Sequence, residues 1–276
     1  MFSFFRRSPR IHYYAAALNE AKMLPHMLRH YEQWVERFVI YDSGSTDGSL
    51  EFLRGHPQVE VRAFEWIDPQ STVLSLRHLH NTCWTESRDR ADWVIMADID
   101  ELLYHPDLAG YLRGCRKRGV TCIPALGYEM ASRHFPAPGV PLPATMPTGM
   151  PTHMMSKLRL FDPNAVRKTN FSAGAHEAAP TGKVVYPERD ELLLLHYKWL
   201  GLDHVRERRA VMRGSRRAGD LANDWGKHYN TPDDTLAAQL DRLLAASVDV
   251  VALGERAWRE HREKRWWRVA PSLGTA

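Results

Sequence analysis

Only three of the 276 residues are cysteines, Cys83, Cys115 and Cys122, and no two of them stand at metal-ligand spacing. An odd, low count excludes a disulfide framework and points to a reducing compartment. No window approaches the apolar length of a membrane span. The N-terminus, Met1-Phe2-Ser3-Phe4-Phe5-Arg6-Arg7, places its charges after its apolar residues and does not read as a signal peptide. A cytoplasmic protein is expected. There is no basic arm of the kind that grips nucleic acid: the net charge is only +4. That mild excess suits anionic substrates or an anionic membrane surface without requiring either. The phosphate-binding loop Gly-x-x-x-x-Gly-Lys is absent, Gly182-Lys183 being isolated, and no Gly-x-Gly-x-x-Gly follows the first strand pattern. No serine nucleophile elbow occurs. Phosphate would have to be held by a metal and side chains. No internal repeat is evident.

What is present is an ordinary globular composition, 44% apolar and 25% charged, in a chain long enough for one large domain with an appendage. Residues 11–18 read as a buried strand. Asn19 then stands where a helix cap would, before apolar positions Leu24, Met27, Leu28, Tyr31, Trp34, Val35 and Phe38 at helical spacing. Strand patterns recur at 38–41, 59–64, 93–97 and 120–123. Helical patterns fall at 50–53, 73–90 and 108–118. This alternation predicts an α/β fold with a mainly parallel open sheet and helices on both faces. In such sheets ligands bind beyond the carboxyl ends of the strands. Three strand ends carry polar groups: Asn19-Glu20, Asp42, and Asp98 with Asp100.

The last of these is the strongest signal. Trp93-Val94-Ile95-Met96-Ala97 is a buried-strand run that stops in Asp98-Ile99-Asp100-Glu101. Unpaired carboxylates are costly to bury, so such a cluster belongs at a strand mouth. Two aspartates one residue apart can share one divalent cation, Mg²⁺ or Mn²⁺ given oxygen-only ligands, with substrate phosphate oxygens completing the shell. The plain alternative is a turn with a helix cap. Asp42 is placed to accept hydrogen bonds from a base or ribose, or else is a turn aspartate. Asn19 and Glu20 line the same edge or merely begin a helix.

Beyond residue 125 the organisation changes. Residues 135–151 hold six prolines and cannot form regular helix or central strand. Residues 157–161 and 192–198 read as strands, and from Leu202 the chain reads as about three helical segments. The expected organisation is an α/β half over 1–125, a segment with the proline-rich loop and late strands over 126–200, and a helical region over 201–276. Residues 258–269, with Trp258, Trp266, Trp267 and several cations, read as a packing helix or as an interfacial amphipathic helix in peripheral membrane contact.

Three motifs in order, Ala17-Leu18-Asn19-Glu20-Ala21, then Val39-Ile40-Tyr41-Asp42-Ser43-Gly44-Ser45-Thr46-Asp47-Gly48-Ser49, then Asp98-Ile99-Asp100-Glu101, resemble the pattern of glycosyltransferase family 2. That pattern usually has two aspartates before the Gly-Ser-Thr-Asp-Gly run; here Ser43 replaces the second. Lys157-Leu158-Arg159-Leu160-Phe161, His176-Glu177 and His196-Tyr197-Lys198 resemble a bacterial subgroup of lipopolysaccharide-core and surface-glycan transferases. The resemblance implies a GT-A fold and an inverting, metal-dependent transfer of a sugar, a hexose by type. The donor would be a nucleoside-diphosphate sugar and the acceptor a glycan or lipid-linked molecule. It implies that Asp42 contacts the nucleotide, while Asp98 and Asp100 hold the metal and diphosphate. A carboxylate should take the acceptor proton. Glu177, beside His176 and Gly174, is the candidate base, its alternative being a surface glutamate. His196 is a further metal or phosphate contact or a satisfied buried histidine. Lys157, Arg159 and Lys198 are cations placed to neutralise phosphate, although cations near strand ends are common. Two other classes compete. An Asp-x-Asp phosphohydrolase would carry threonine where Leu102 stands and would open the chain with the motif. An inactive transferase-like binding module would have no need of Asp42, Asp98 and Asp100 together.

Overall fold

The computed structural model describes residues 9–268. The N-terminal segment Met1–Arg7 and the end of the 258–269 run lie outside the described residues. β1 (Ile11–Ala17) is buried along almost its whole length, as its apolar run requires. α1 (Leu24–Tyr31) turns Leu24, Met27, Leu28 and Tyr31 inward on one stripe, with Pro25 in the tolerated first turn. Asn19 does not cap it; Met23 occupies the cap position. Asn19 instead adopts a left-handed backbone (φ 53°) and turns its side chain toward the next loop.

β2 (Arg37–Asp42), α2 (Ser49–Arg54), β3 (Val59–Ala63) and α3 (Thr72–Thr82) follow as the alternation predicts. The expected helix over 73–90 ends early. A 3₁₀ turn at Cys83–Ser87 takes over and buries Trp84 beneath the sheet. β4 (Trp93–Met96) precedes the carboxylates. β5 (Glu101–Tyr104), which has no clear signature in sequence, follows directly. α4 (Leu108–Lys117) leads to β6 (Cys122–Ser132), far longer than the strand expected at 120–123.

Within the proline-rich stretch lie one helical turn, α5 (Leu142–Thr145), and the short β7 (Thr148–Pro151). Both are compatible with proline: Pro143 sits in the first turn of α5, and β7 lies near the sheet edge. β8 (Lys157–Phe161) and the small hairpin β9 (Val166–Lys168) and β10 (Thr181–Gly182) precede β11 (Leu193–Leu200). The C-terminal part comprises α6 (Leu202–Gly214), α7 (Ala218–Ala222), α8 (Asp233–Ala246), β12 (Val248–Asp249) and α9 (Arg256–Arg259).

The fold class is α/β, with a large open sheet ordered β3-β2-β1-β4-β8-β6-β7-β12 and helices on both faces. β3, β2, β1 and β4 are mutually parallel, so their carboxyl ends share one edge. β8 runs antiparallel between β4 and β6. β11 pairs parallel with β6 and antiparallel with β5, setting His196 opposite both Glu129 and Glu101.

One face packs α1 and α4 against Tyr13, Ile95 and Leu194. The other packs Trp84, Phe161 and Phe171 against Tyr14 and Met96. Val250, Ala257 and Trp267 belong to the same core as β1, so the C-terminal residues pack onto the sheet. The 258–268 stretch is not a continuous helix: α9 and a turn at Trp266–Arg268 are its regular parts. Trp267 is buried with its Nε1–H on Asp190, and Trp266 donates to the Ser156 carbonyl. The aromatic face that an interfacial helix would offer to lipid is thus turned into the protein. Among the described residues no helix is long and apolar enough to cross a membrane.

Candidate active site

The strand ends converge as the parallel order requires. After β4 the chain makes a tight turn in which Glu101 N–H donates to the Asp98 carbonyl at 3.1 Å. Tyr13 Oη, rising from the neighbouring strand, donates to the carbonyls of Ala97 and Asp98, each at 3.1 Å. Tyr197 N–H donates to the Asp100 carbonyl at 2.8 Å. The turn is therefore pinned from two strands, and its side chains split by depth. The Asp98 side chain is 46% exposed, while that of Glu101 is fully buried.

Glu101 collects the cations. Lys157 Nζ lies 2.8 Å from its Oε1 and Arg159 Nε 2.7 Å from its Oε2. Burial pushes the Glu101 carboxyl up, but Arg159 and Lys157 outweigh it and hold it well below the ordinary carboxylate range. Arg159 also reaches Asp98 Oδ2 at 3.3 Å. Lys157 and Arg159 thus stand beneath the site rather than at its opening, and both are engaged by Glu101. Their charges were expected on phosphate; burial instead required a carboxylate partner.

Asp100 faces His196, whose Nε2 lies 3.3 Å from Oδ2, and His196 Nδ1 bonds Glu129 on β6. Burial alone would lower the His196 pKa; the facing carboxylates of Glu129 and Asp100 reverse this and raise it to about 10. Burial likewise favours a neutral Asp100, but His196 outweighs it and holds Asp100 at about 2. Both ring nitrogens of His196 thus face carboxylates. In this arrangement His196 orients Asp100. Among the described residues no group of three His, Cys, Asp or Glu side chains forms a ready cation cage. Asp98 and Asp100 offer hard oxygens, the donor chemistry that Mg²⁺ or Mn²⁺ requires, and leave most of a coordination shell to a ligand.

The loop after β2 is organised around Asp42, which accepts from the N–H groups of Gly44 at 3.1 Å and Ser45 at 3.2 Å. Gly44 and Gly48 both take left-handed backbones, with φ 99° and 93°, which only glycine adopts without strain. Ser43, where the family pattern has aspartate, ties back to the Ala17 carbonyl at 3.0 Å. Asn19 Oδ1 accepts from Thr46 N–H at 2.7 Å, and Ser49 Oγ accepts from Glu20 N–H at 2.8 Å. The two motifs are therefore one structural unit. Arg208 on α6 clamps it, donating to the carbonyls of Leu18 at 2.9 Å and Asn19 at 2.6 Å and pairing with Glu20. Burial pushes Glu20 up to about 8 against the pull of Arg208, with Asp100 and Asp98 adding to the rise.

Glu177 is exposed, in a turn closed by Ser172 Oγ accepting its N–H at 3.0 Å. Its neighbour His176 is half-buried and feels Lys157, Arg159 and Glu101, which places the turn beside the carboxylate cluster. Lys198 is half-buried and, among the described residues, has no ion pair. Glu129, Arg208 and Tyr229 were not foreseen. Tyr229 sits in the turn at Lys227–Asn230, its phenol pushed up by burial and then by Asp100 and Asp98. None of the three carries a local motif.

Residues 17–137 match glycosyltransferase family 92, somewhat under half of the chain. The match spans Asn19, Glu20, Asp42, Asp98, Asp100 and Glu129. It bears out a glycosyltransferase-type domain, with family 92 where the sequence motifs resemble family 2. No curated protein matches the sequence. Among solved structures, residues 1–349 of S. aureus TarS align at 12% identity over 74% of this chain and 63% of that chain, with a TM-score of 0.37. Glucosyl-3-phosphoglycerate synthase from Mycobacterium tuberculosis, in complex with Mn²⁺, UDP-glucose and phosphoglyceric acid, aligns at 19% identity over 44% of each chain, with a TM-score of 0.30. The chain thus spans less than two thirds of the length of either structure.

Proposed function

We propose that this protein is a metal-dependent, inverting glycosyltransferase of the family 2 type, from the bacterial subgroup that builds surface glycans. It would move a hexosyl unit from a nucleoside-diphosphate sugar to a glycan or lipid-linked acceptor, in the cytoplasm. The observation that carries this reading is the Asp98–Asp100 turn. Its two carboxylates stand at the carboxyl edge of four parallel strands, pinned by Tyr13 and Tyr197 and flanked by the Asp42 loop.

In this reading Asp98 and Asp100 hold Mn²⁺ or Mg²⁺ against the donor diphosphate. When bound, the cation stabilises charge developing on the departing nucleotide. Asp42 and the Asn19–Glu20 segment receive the nucleoside. Lys157 and Arg159 position Glu101 and Asp98, and His196 positions Asp100. Glu177 removes the acceptor proton, since a base must reach that hydroxyl and its exposed turn adjoins the cluster.

Titration calorimetry with a panel of nucleoside diphosphates, with and without Mn²⁺, tests the reading. Metal-dependent binding of one nucleotide, lost in Asp98→Asn, is the expected result. A folded protein that binds none of them would remove the reading.

A further inference from the structure

Resting on that reading, we propose that the acceptor is anionic, and that Lys198, Arg209, Arg213 and Arg216 receive a phosphate group it carries. Most cations of this chain that lie near the site are matched. Arg208 pairs with Glu20, Arg206 with Asp203 and Asp233, Lys22 with Glu207, and Lys157 and Arg159 with Glu101. These four are not: among the described residues none has a carboxylate within ion-pair distance.

The three arginines nevertheless gather in one place, around the turn at Lys227–Asn230. Arg209 donates to the His228 carbonyl, Arg213 to the Tyr229 carbonyl at 2.9 Å, and Arg216 to Asn230 Oδ1 at 3.3 Å. Arg209 is only 5% exposed, and its Nε is buried with no hydrogen-bond partner. A buried guanidinium donor without an acceptor is costly, which an incoming oxyanion would relieve. The concentration of charge is felt locally. Burial first, then Lys198, Arg209, Arg216 and His176 lower the His228 pKa to about 4.

Position separates this patch from the donor. Across the strand edge the order runs from Asp42 on β2, through Asn19 after β1, to Asp98 after β4. Lys198 lies on β11, beyond the carboxylates and away from the Asp42 loop. α6 bridges the two regions, because Arg208 grips the end of β1 while the adjacent Arg209 faces the 227–230 turn. A donor diphosphate would already be served by the cation that Asp98 and Asp100 would hold. The unmatched charges therefore await a second anion on the acceptor side, and Arg forks suit phosphate oxygens.

The probes are inorganic phosphate, glucose 6-phosphate and glucose, titrated into the full chain at low and at physiological salt. The nucleoside diphosphate panel with Mn²⁺ is run in parallel, on wild type and on Arg213→Ala and Arg216→Ala. Millimolar binding of both phosphates but not of glucose is expected. Each variant should weaken it about tenfold, with less than twofold change in nucleotide affinity and no loss of fold by circular dichroism. Absence of phosphate binding to wild type would overturn the proposal. So would parallel loss of phosphate and nucleotide binding in both variants, which would give the patch to the donor. If wild type binds phosphate but no nucleotide, the transferase reading fails and the anion site stands.

Discussion

Nε2 of His196 stands 3.3 Å from Oδ2 of Asp100, and the opposite ring nitrogen is bonded to Glu129. The three residues come from the β4–β5 turn, β11 and β6, so the sheet register itself aims Asp100. Outer-shell partners of this kind fix the direction of a ligating carboxylate and typically matter 10- to 100-fold in metal affinity.

Glu129→Gln is accordingly expected to lower Mn²⁺ affinity in the presence of a bound nucleoside diphosphate by about 10- to 100-fold. It should leave metal-free nucleotide binding nearly unchanged. Manganese titration followed by electron paramagnetic resonance reads this directly. Unaltered Mn²⁺ affinity would mean that the relay does not orient Asp100.

Glu101 is the keystone of the buried charges. Glu101→Gln keeps the shape but leaves Arg159 with only the half-exposed Asp98 as counter-ion, and takes from Lys157 the carboxylate it pairs with. A buried pair broken from one side costs about 3–5 kcal/mol. Urea unfolding should register a loss of that order. Replacing the trio together, Glu101→Leu with Lys157→Met and Arg159→Met, should recover most of it, because well-packed apolar groups avoid the desolvation cost. A Glu101→Gln change below about 1 kcal/mol, the range of exposed pairs, would show that the trio is hydrated.

The legible parts of this protein were those whose cause is local. A buried run ending in Asp98-Ile99-Asp100 declares a strand mouth because no fold buries unpaired carboxylates. The glycines at 44 and 48 declare their turn because few other residues take that backbone. β5 escaped notice because Leu102 and Leu103 are both buried, which erases the two-residue alternation of a half-exposed strand. The partners Glu129, Arg208 and Tyr229 lie far along the chain from the residues they meet, and only the sheet register and the course of α6 bring them there. The cations at 157 and 159 were visible, but their depth was not: alternation along β8 does not say that both faces are covered.

The pH dependence of stability has a definite sign at Asp220. This buried carboxylate accepts from Ser71 Oγ at 2.6 Å, from the N–H groups of Thr72 at 2.9 Å and Val73 at 3.3 Å, and from Arg217 N–H at 3.0 Å. Burial raises its pKa, but the Ser71 hydroxyl and the three backbone donors outweigh burial and leave it lowered. A carboxyl lowered on folding stabilises the native state above its unfolded pKa, about 4. That contribution fades as pH falls through the folded value. Melting temperatures measured from pH 7 to pH 3 should fall more steeply for wild type than for Asp220→Asn. Equal slopes would deny Asp220 this part in joining α7 to α3.

The proposed general base is Glu177. Its side chain is exposed and, among the described residues, unbonded, so Glu177→Gln should not disturb folding or nucleotide affinity. As general base it would contribute on the order of 10²- to 10⁴-fold to turnover. The expected pattern is a loss of that size in kcat with KM for the donor little changed, since proton removal matters only as the acceptor attacks. His176, next along the chain, is fastened to the Met154 carbonyl at 2.9 Å and anchors this turn. If Glu177→Gln turns over like wild type, the base has to come from elsewhere in the cluster. Glu129, whose side chain is 18% exposed beside His196, would be the next residue to replace.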